Sequence, residues 1–194
     1  MTMTLEEIRK TIDTLDPKIR DLLLQRMDCS HKVAEVKQQD GSTTVFRADR
    51  EQKILDTLGK EVPPERRAAY LAVVRKIMEA SRMYQYGLLF DWNPGILAPL
   101  LQGFSMERGA KNVTVQFACS DCPNGLGKLL SMIGDYDVNL ETLTQLSKNA
   151  ADSTVTFQVT LQCDPSESWI QQLLFQLSKE SQAFKVVKIE EPAI

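Results

Sequence analysis

Four polar residues sit where helical periodicity asks for apolar ones, and their types suit the binding of a small polyanion. Leu5, Ile8, Ile12, Leu15, Ile19, Leu22, Leu23 and Val33 recur every three or four positions, the period of one face of a long helix. Continuing that line past Leu22 and Leu23 places Arg26 and Lys37 on it, because eleven steps of 100° return to within about 20° of the same direction. A second line through Tyr70, Val74, Ile77, Met78 and Leu88 takes in Ser81 and Gln85. Unpaired charge is costly to bury, so three readings stand open. Arg26 and Lys37 pair with carboxylates such as Glu51, or they lie at the stripe's edge and reach water. In the third, they line an internal pocket for a multiply anionic ligand, with Ser81 and Gln85 adding neutral hydrogen bonds. Guanidinium forks match carboxylates in particular.

Arg9 stands apart. It precedes Arg26 by 17 residues, which on a continuous helix separates the two by about 25 Å and turns them about 100° from each other. One small ligand cannot be held by both residues of the same straight helix, whereas Arg9 of a second, antiparallel chain can reach it. If Arg9 belongs to the site, the protein is a homodimer. The stripe near Leu5–Leu15 outruns its neighbouring helices and asks for the same cover, a two-chain helical bundle.

The elements that must position these residues follow from pattern and punctuation. The first helix spans Leu5 to Lys37, with Asp16-Pro17 marking a break or a kink. Gln38–Thr44 is a loop by composition. Ala48–Leu58 is a shorter helix with Gly59 just past its end, and Pro63-Pro64 opens a third from Glu65 to about Phe90. Residues 91–112 carry Pro94, Gly95, Pro99, Gly103 and Gly109 and read as a linker, with one helical turn near Ile96–Leu101. The period then changes. Strands are expected at Val113–Cys119, Val138–Leu146, Ser153–Leu161 and Phe184–Ile189, with helices around Leu126–Ile133 and Ser166–Ser178. That βαββαβ order is the ferredoxin-like arrangement. The expected organisation is therefore a helical unit at 1–90, a linker at 91–112 and an α+β unit at 113–194.

Composition narrows the classes. The 194 residues are 43% hydrophobic and 25% charged with a net charge of −3, as in ordinary folded proteins. No general attraction to nucleic acid or anionic membrane is implied, and no apolar run approaches the roughly 18–20 residues that span a bilayer. The start lacks the apolar core of a signal peptide. Of the four cysteines, Cys119 and Cys122 have CxxC spacing, but one pair without a second, or nearby histidines, is a poor metal signal. A cytoplasmic protein with reduced cysteines and no metal is the expectation.

The segments Ile8-Arg9…Ile12-Asp13…Leu15-Asp16, Leu24-Gln25-Arg26, Val33-Ala34-Glu35-Val36-Lys37, Arg47-Ala48-Asp49-Arg50-Glu51 and Glu79-Ala80-Ser81…Gln85 resemble, in order and spacing, the all-helical chorismate mutase domain. The resemblance implies three helices in an intertwined dimer, and conversion of chorismate to prephenate by a pericyclic shift without metal or organic cofactor. It implies that Arg26, and Arg9 of the partner chain, hold the carboxylates. Lys37 and Gln85 donate to the ether oxygen, Glu51 accepts from the ring hydroxyl, and Arg50 and Ser81 support the ring end. Many members carry an acidic residue where this chain has Arg47.

Asp121-Cys122-Pro123-Asn124-Gly125-Leu126-Gly127-Lys128-Leu129-Leu130, with Val138-Asn139-Leu140, resembles the ACT family, whose βαββαβ units pair and bind amino acids at the pair interface. That resemblance implies an amino-acid effector near Asn124, Gly125, Leu126 and Asn139, and association of dimers through these units. Where a phenylalanine-sensing form has Glu-Ser-Arg-Pro, this chain reads Thr144-Gln145-Leu146-Ser147, and a dimerising unit without ligand is the competing expectation. Two other functions share the helical architecture: an isochorismate pyruvate-lyase, and a non-catalytic dimeric amino-acid sensor. A mere dimer seam would favour Leu at positions 37 and 85.

Overall fold

A computed structural model describes residues 3–104 and 108–190. Residues 105–107 of the expected linker, and residues 1–2 and 191–194 at the ends of the expected units, lie outside the described ones.

The first element is α1, Leu5–Gln39. Its start is set by a capping box: the Thr4 side chain accepts from the Glu7 amide, and the Glu7 carboxylate accepts from the Thr4 amide at 2.7 Å, so two otherwise unpaired donors are satisfied. Glu6 and Glu7 in the first turn and Lys37 in the last complement the helix dipole. Pro17 lies inside and does not end the helix; the turns on either side propagate across the single backbone bond that proline removes. At 35 residues the helix is about 52 Å long.

The second helix, α2, covers Ala48–Lys60. Gly59 is therefore inside it rather than beyond its end. It is buried, and a Cβ there would meet Leu71 Cδ1 at 3.3 Å, so the glycine serves close helix packing instead of a stop. The third, α3, runs Pro64–Trp92 with proline at its first position. Leu55 from α2 packs with Val74 and Met78 from α3 in a small apolar cluster.

A 3-10 turn at Pro94–Leu97 follows, and Leu97 is buried in the main core. Beyond it come β1 (Asn112–Ser120), α4 (Gly125–Asp135), β2 (Asn139–Asn149), β3 (Thr154–Gln162), α5 (Ser168–Glu180) and β4 (Gln182–Ile189). The strands form one sheet in the order β2-β3-β1-β4, with every neighbouring pair antiparallel. This is the ferredoxin-like α+β topology. In the central pair Val115 faces Val159 and Phe117 faces Phe157. At the turn into α4, a Cβ on Gly125 would come within 2.2 Å of the Ser120 carbonyl oxygen, so only glycine allows that close approach.

The helical and α+β units share a core. Tyr86, Leu89 and Phe90 of α3 are buried in the same apolar cluster as Val115, Phe117, Ile170, Leu173 and Phe175, and the Tyr86 and Phe175 rings meet edge to face at 5.6 Å. By contrast, Leu5, Ile8, Ile12, Leu15, Ile19 and Leu22 of α1 are each 42–65% exposed. Only the C-terminal half of α1 lies against α3.

Phe175→Ala removes a fully buried ring from the seam and is expected to cost about 3–5 kcal/mol. Because the core is continuous, urea unfolding followed by helical circular dichroism and by tryptophan fluorescence should shift together. A loss confined to one probe would contradict the shared core.

Candidate functional site

A cavity of about 340 Å3 lies between α1, α2 and α3. Arg26 and Lys37 reach it from α1, Arg50 and Glu51 from the first turn of α2, and Ser81 and Gln85 from α3. Thus six of the seven residues read from the sequence as substrate-binding line one cavity. Arg9 is not among them; it stands on the exposed N-terminal half of α1.

The spacing on α3 explains two of these placements. Ser81 and Gln85 are one turn apart on a helix packed against α1, and both are buried. Ser81 Oγ lies 2.6 Å from Ser30 Oγ on α1, and the Ser30 hydroxyl donates to the Arg26 carbonyl at 3.1 Å. The Gln85 amide donates to the Ser81 carbonyl and hydroxyl at 3.1 and 3.3 Å. These contacts hold two neutral polar groups at the cavity wall with no buried side-chain nitrogen or oxygen left unpartnered among the described residues.

The charged residues do not take up the pairing with Glu51 that was one of the three readings. Arg26 is exposed in the single chain and its guanidinium donates to the Ile77 carbonyl at 3.5 Å, so it is an edge residue here rather than a buried one. Lys37 and Glu51 do not pair: Lys37 donates to the Thr44 carbonyl, while Glu51 takes the guanidinium of Arg82. The reason is position. Thr44 lies in the loop that leaves α1, next to Lys37, whereas Arg82 on α3 faces the first turn of α2.

The cavity walls carry an excess of positive charge. Arg26, Lys37, Arg47, Arg50 and Arg82 line it against one carboxylate, Glu51. Burial pushes the Lys37 ammonium below the usual lysine range, and the neighbouring Arg47 and Arg50 push it further the same way. A bound anion would offset that repulsion. Arg47 is partly neutralised already, through a fork to Asp49 at 2.9 and 3.1 Å.

Two residues at the site were missed in the sequence. Ser30 falls on the line from Arg26 to Lys37, one turn after Arg26, and its polarity there was a usable signal. Arg82 gave none, since its second partner is Glu180, 98 residues further on. The guanidinium also lies over the Phe46 ring, 4.9 Å from its centroid.

Of the residues read as effector-binding, Gly125 lines a second cavity of about 350 Å3, between α2, α3 and the α+β unit. Asn124 caps α4 with a left-handed backbone, φ 63°, Leu126 packs against the core, and Asn139 is exposed at the start of β2. These three do not line that cavity. Cys119 and Cys163 are buried free thiols and Cys29 and Cys122 exposed ones. Burial raises the Cys119 thiol, and it pushes Cys163 up to about 12. Among the described residues no group of three His, Cys, Asp or Glu side chains could hold a metal ion, and no helix is long and apolar enough to cross a membrane.

Residues 8–86 match the family model of chorismate mutase type II. The match takes in most of α1, all of α2 and α3 as far as Tyr86, and so contains the whole lining of the first cavity. It ends before the α+β unit, which is described by its fold alone. No curated protein matches the chain.

Arg82→Met should cost about 3–5 kcal/mol, because it strands Glu180 and Glu51 without their shared cation. Ser81→Ala should cost less than about 1 kcal/mol, since Ser30 keeps its bond to the Arg26 carbonyl. Urea denaturation of the two variants measures the difference.

Proposed function

We propose that the protein is a homodimeric chorismate mutase that converts chorismate to prephenate within aromatic amino acid biosynthesis. The carrying observation is the convergence of Arg26, Lys37, Arg50, Glu51, Ser81 and Gln85 on one cation-rich cavity inside the matched domain. Chorismate is a dianion, and its rearrangement needs the compact reactive conformer held and the charge on the ether oxygen stabilised. Arg26 takes a carboxylate. Lys37 and Gln85 stand on opposite walls as donors for the ether oxygen, Glu51 accepts the ring hydroxyl, and Arg50 and Ser81 hold the ring end. The reaction is a shift of electron pairs within one molecule, so no residue acts as nucleophile.

The exposed apolar stripe Leu5–Leu22 supports the dimer. A second chain laid antiparallel on it buries six large side chains and carries its own Arg9 toward the open, Arg26 side of the cavity. That arginine closes the site over the second carboxylate.

Chorismate consumption, followed by ultraviolet absorbance with product analysis, is the primary test. Prephenate is expected; pyruvate would show the related elimination instead, and no turnover by the intact dimer would remove the enzyme reading. Lys37→Ala should lower kcat by about 10²–10³-fold while leaving a folded dimer, by comparison with other preformed donors. Shared sites have a distinctive signature. Co-expressed Arg9→Ala and Lys37→Ala chains should recover about a quarter of wild-type activity, because half the dimers are mixed and each mixed dimer has one intact site. No recovery would place Arg9 outside the partner's site. For pH, Lys37 must be protonated to donate, and its pKa is lowered, so kcat/KM should fall on the alkaline side below the ordinary lysine value of 10.5. Gln85 is neutral and adds no acid-side step.

A further inference from the structure

Arg82 stands on the wall between the two cavities, and it and Glu51 line both. Its Nη1 donates to one oxygen of Glu51, and its Nε is shared by both oxygens of Glu180 at 3.0 Å. Glu180 is the last residue of α5 and its side chain is 5% exposed, against 11% for Arg82 and 22% for Glu51. From its far side Glu180 accepts from Gln176 Nε2 at 2.9 Å, and the Tyr136 hydroxyl donates to Gln176 Oε1 at 3.0 Å. A continuous chain of side-chain bonds thus runs from the α+β unit to the carboxylate at the candidate active site.

A guanidinium is a planar fork that readily takes both oxygens of one carboxylate. Here the fork is divided. With Nε turned to Glu180, a single Nη1 bond reaches Glu51, and only one Glu51 oxygen is engaged by it.

We infer that Arg82 is a positioning residue for Glu51, set in place by Glu180, so that the α+β unit completes the substrate cavity. The inference rests on the mutase reading, in which Glu51 accepts the ring hydroxyl of the substrate. A neutral amide at position 180 holds the guanidinium less strongly than a carboxylate does, so Arg82 swings toward Glu51, the charged partner left to it, and draws that acceptor out of place. The ring hydroxyl is bound alike in the ground and transition states, so the loss falls on KM rather than kcat.

Glu180→Gln keeps the shape of the side chain and carries the test, with thermal unfolding to show that the dimer is folded. The expected result is a rise in KM of about 10–100-fold, the worth of one hydrogen bond to a charged group, with kcat within about twofold. Arg82→Lys, whose ammonium lacks the fork, should reproduce the KM rise. In a Glu51→Gln background, Glu180→Gln should add almost nothing, because the group it positions is already gone. An unchanged KM in folded Glu180→Gln, or losses that multiply in the double variant, would overturn the inference and leave the Arg82–Glu180 pair a purely stabilising one. Wild-type protein that does not turn over chorismate removes the mutase reading and this role together. Normal wild-type turnover with indifferent variants removes this role alone.

Discussion

The rest of the structure depends on α3 being buried on two sides at once. Its middle faces α1 and α2 and supplies Ser81 and Gln85 to the cavity. Its last turns supply Tyr86, Leu89 and Phe90 to the core beneath the sheet. A helix that serves two packing partners cannot shift toward one without opening the other, since interiors are close-packed. The cavity wall and the α+β unit are therefore one rigid construction along α3, although they come from different stretches of the chain.

Charge sets the second constraint. The cavity gathers cations from all three helices around one acid; burial lowers the Lys37 pKa, and repulsion from Arg47 and Arg50 lowers it further. Such an arrangement is stored stabilisation for an anion. Arg82 is the exception among the cations, because two carboxylates hold it: burial on its own would lower its pKa, yet Glu180 and Glu51 together raise it. Glu180 shows the converse, its pKa raised by burial despite Arg82. The triad is paired and largely withdrawn from solvent, and its bonds join α2, α3 and α5.

The N-terminal half of α1 meets neither constraint within a single chain. Its apolar face is as regular as any in the molecule and stands in solvent. Helix propensity and the Thr4–Glu7 capping box define its start, but helices in proteins owe most of their stability to the packing of an apolar face. An exposed apolar stripe of six large side chains marks an interaction surface, and it leads along α1 toward Arg26 at the cavity.

Local periodicity specifies the elements and the faces they bury. Period 3.6 over Leu5–Leu23 and period 2 over Val155–Leu161 specify helix and strand locally, and the βαββαβ order leaves few ways to pair four short strands. Ser81 and Gln85 were legible because a polar side chain on an apolar stripe is a local anomaly. Other features needed the tertiary structure. Pro17 reads as a break or a kink, and only the continuous helix on both sides shows that it ends nothing. Gly59 reads as a stop, and only the approach of Leu71 shows it as a packing contact. Arg26 could be paired, at the edge or in a pocket by its spacing, and only the packing of α1 on α3 shows it exposed at the cavity's rim, bonded to the Ile77 carbonyl. Arg82 carries no local signal at all. Its partners come from α2 and α5, and a side chain's pairing across 98 residues is decided by how whole helices pack, which periodicity along a single helix does not encode.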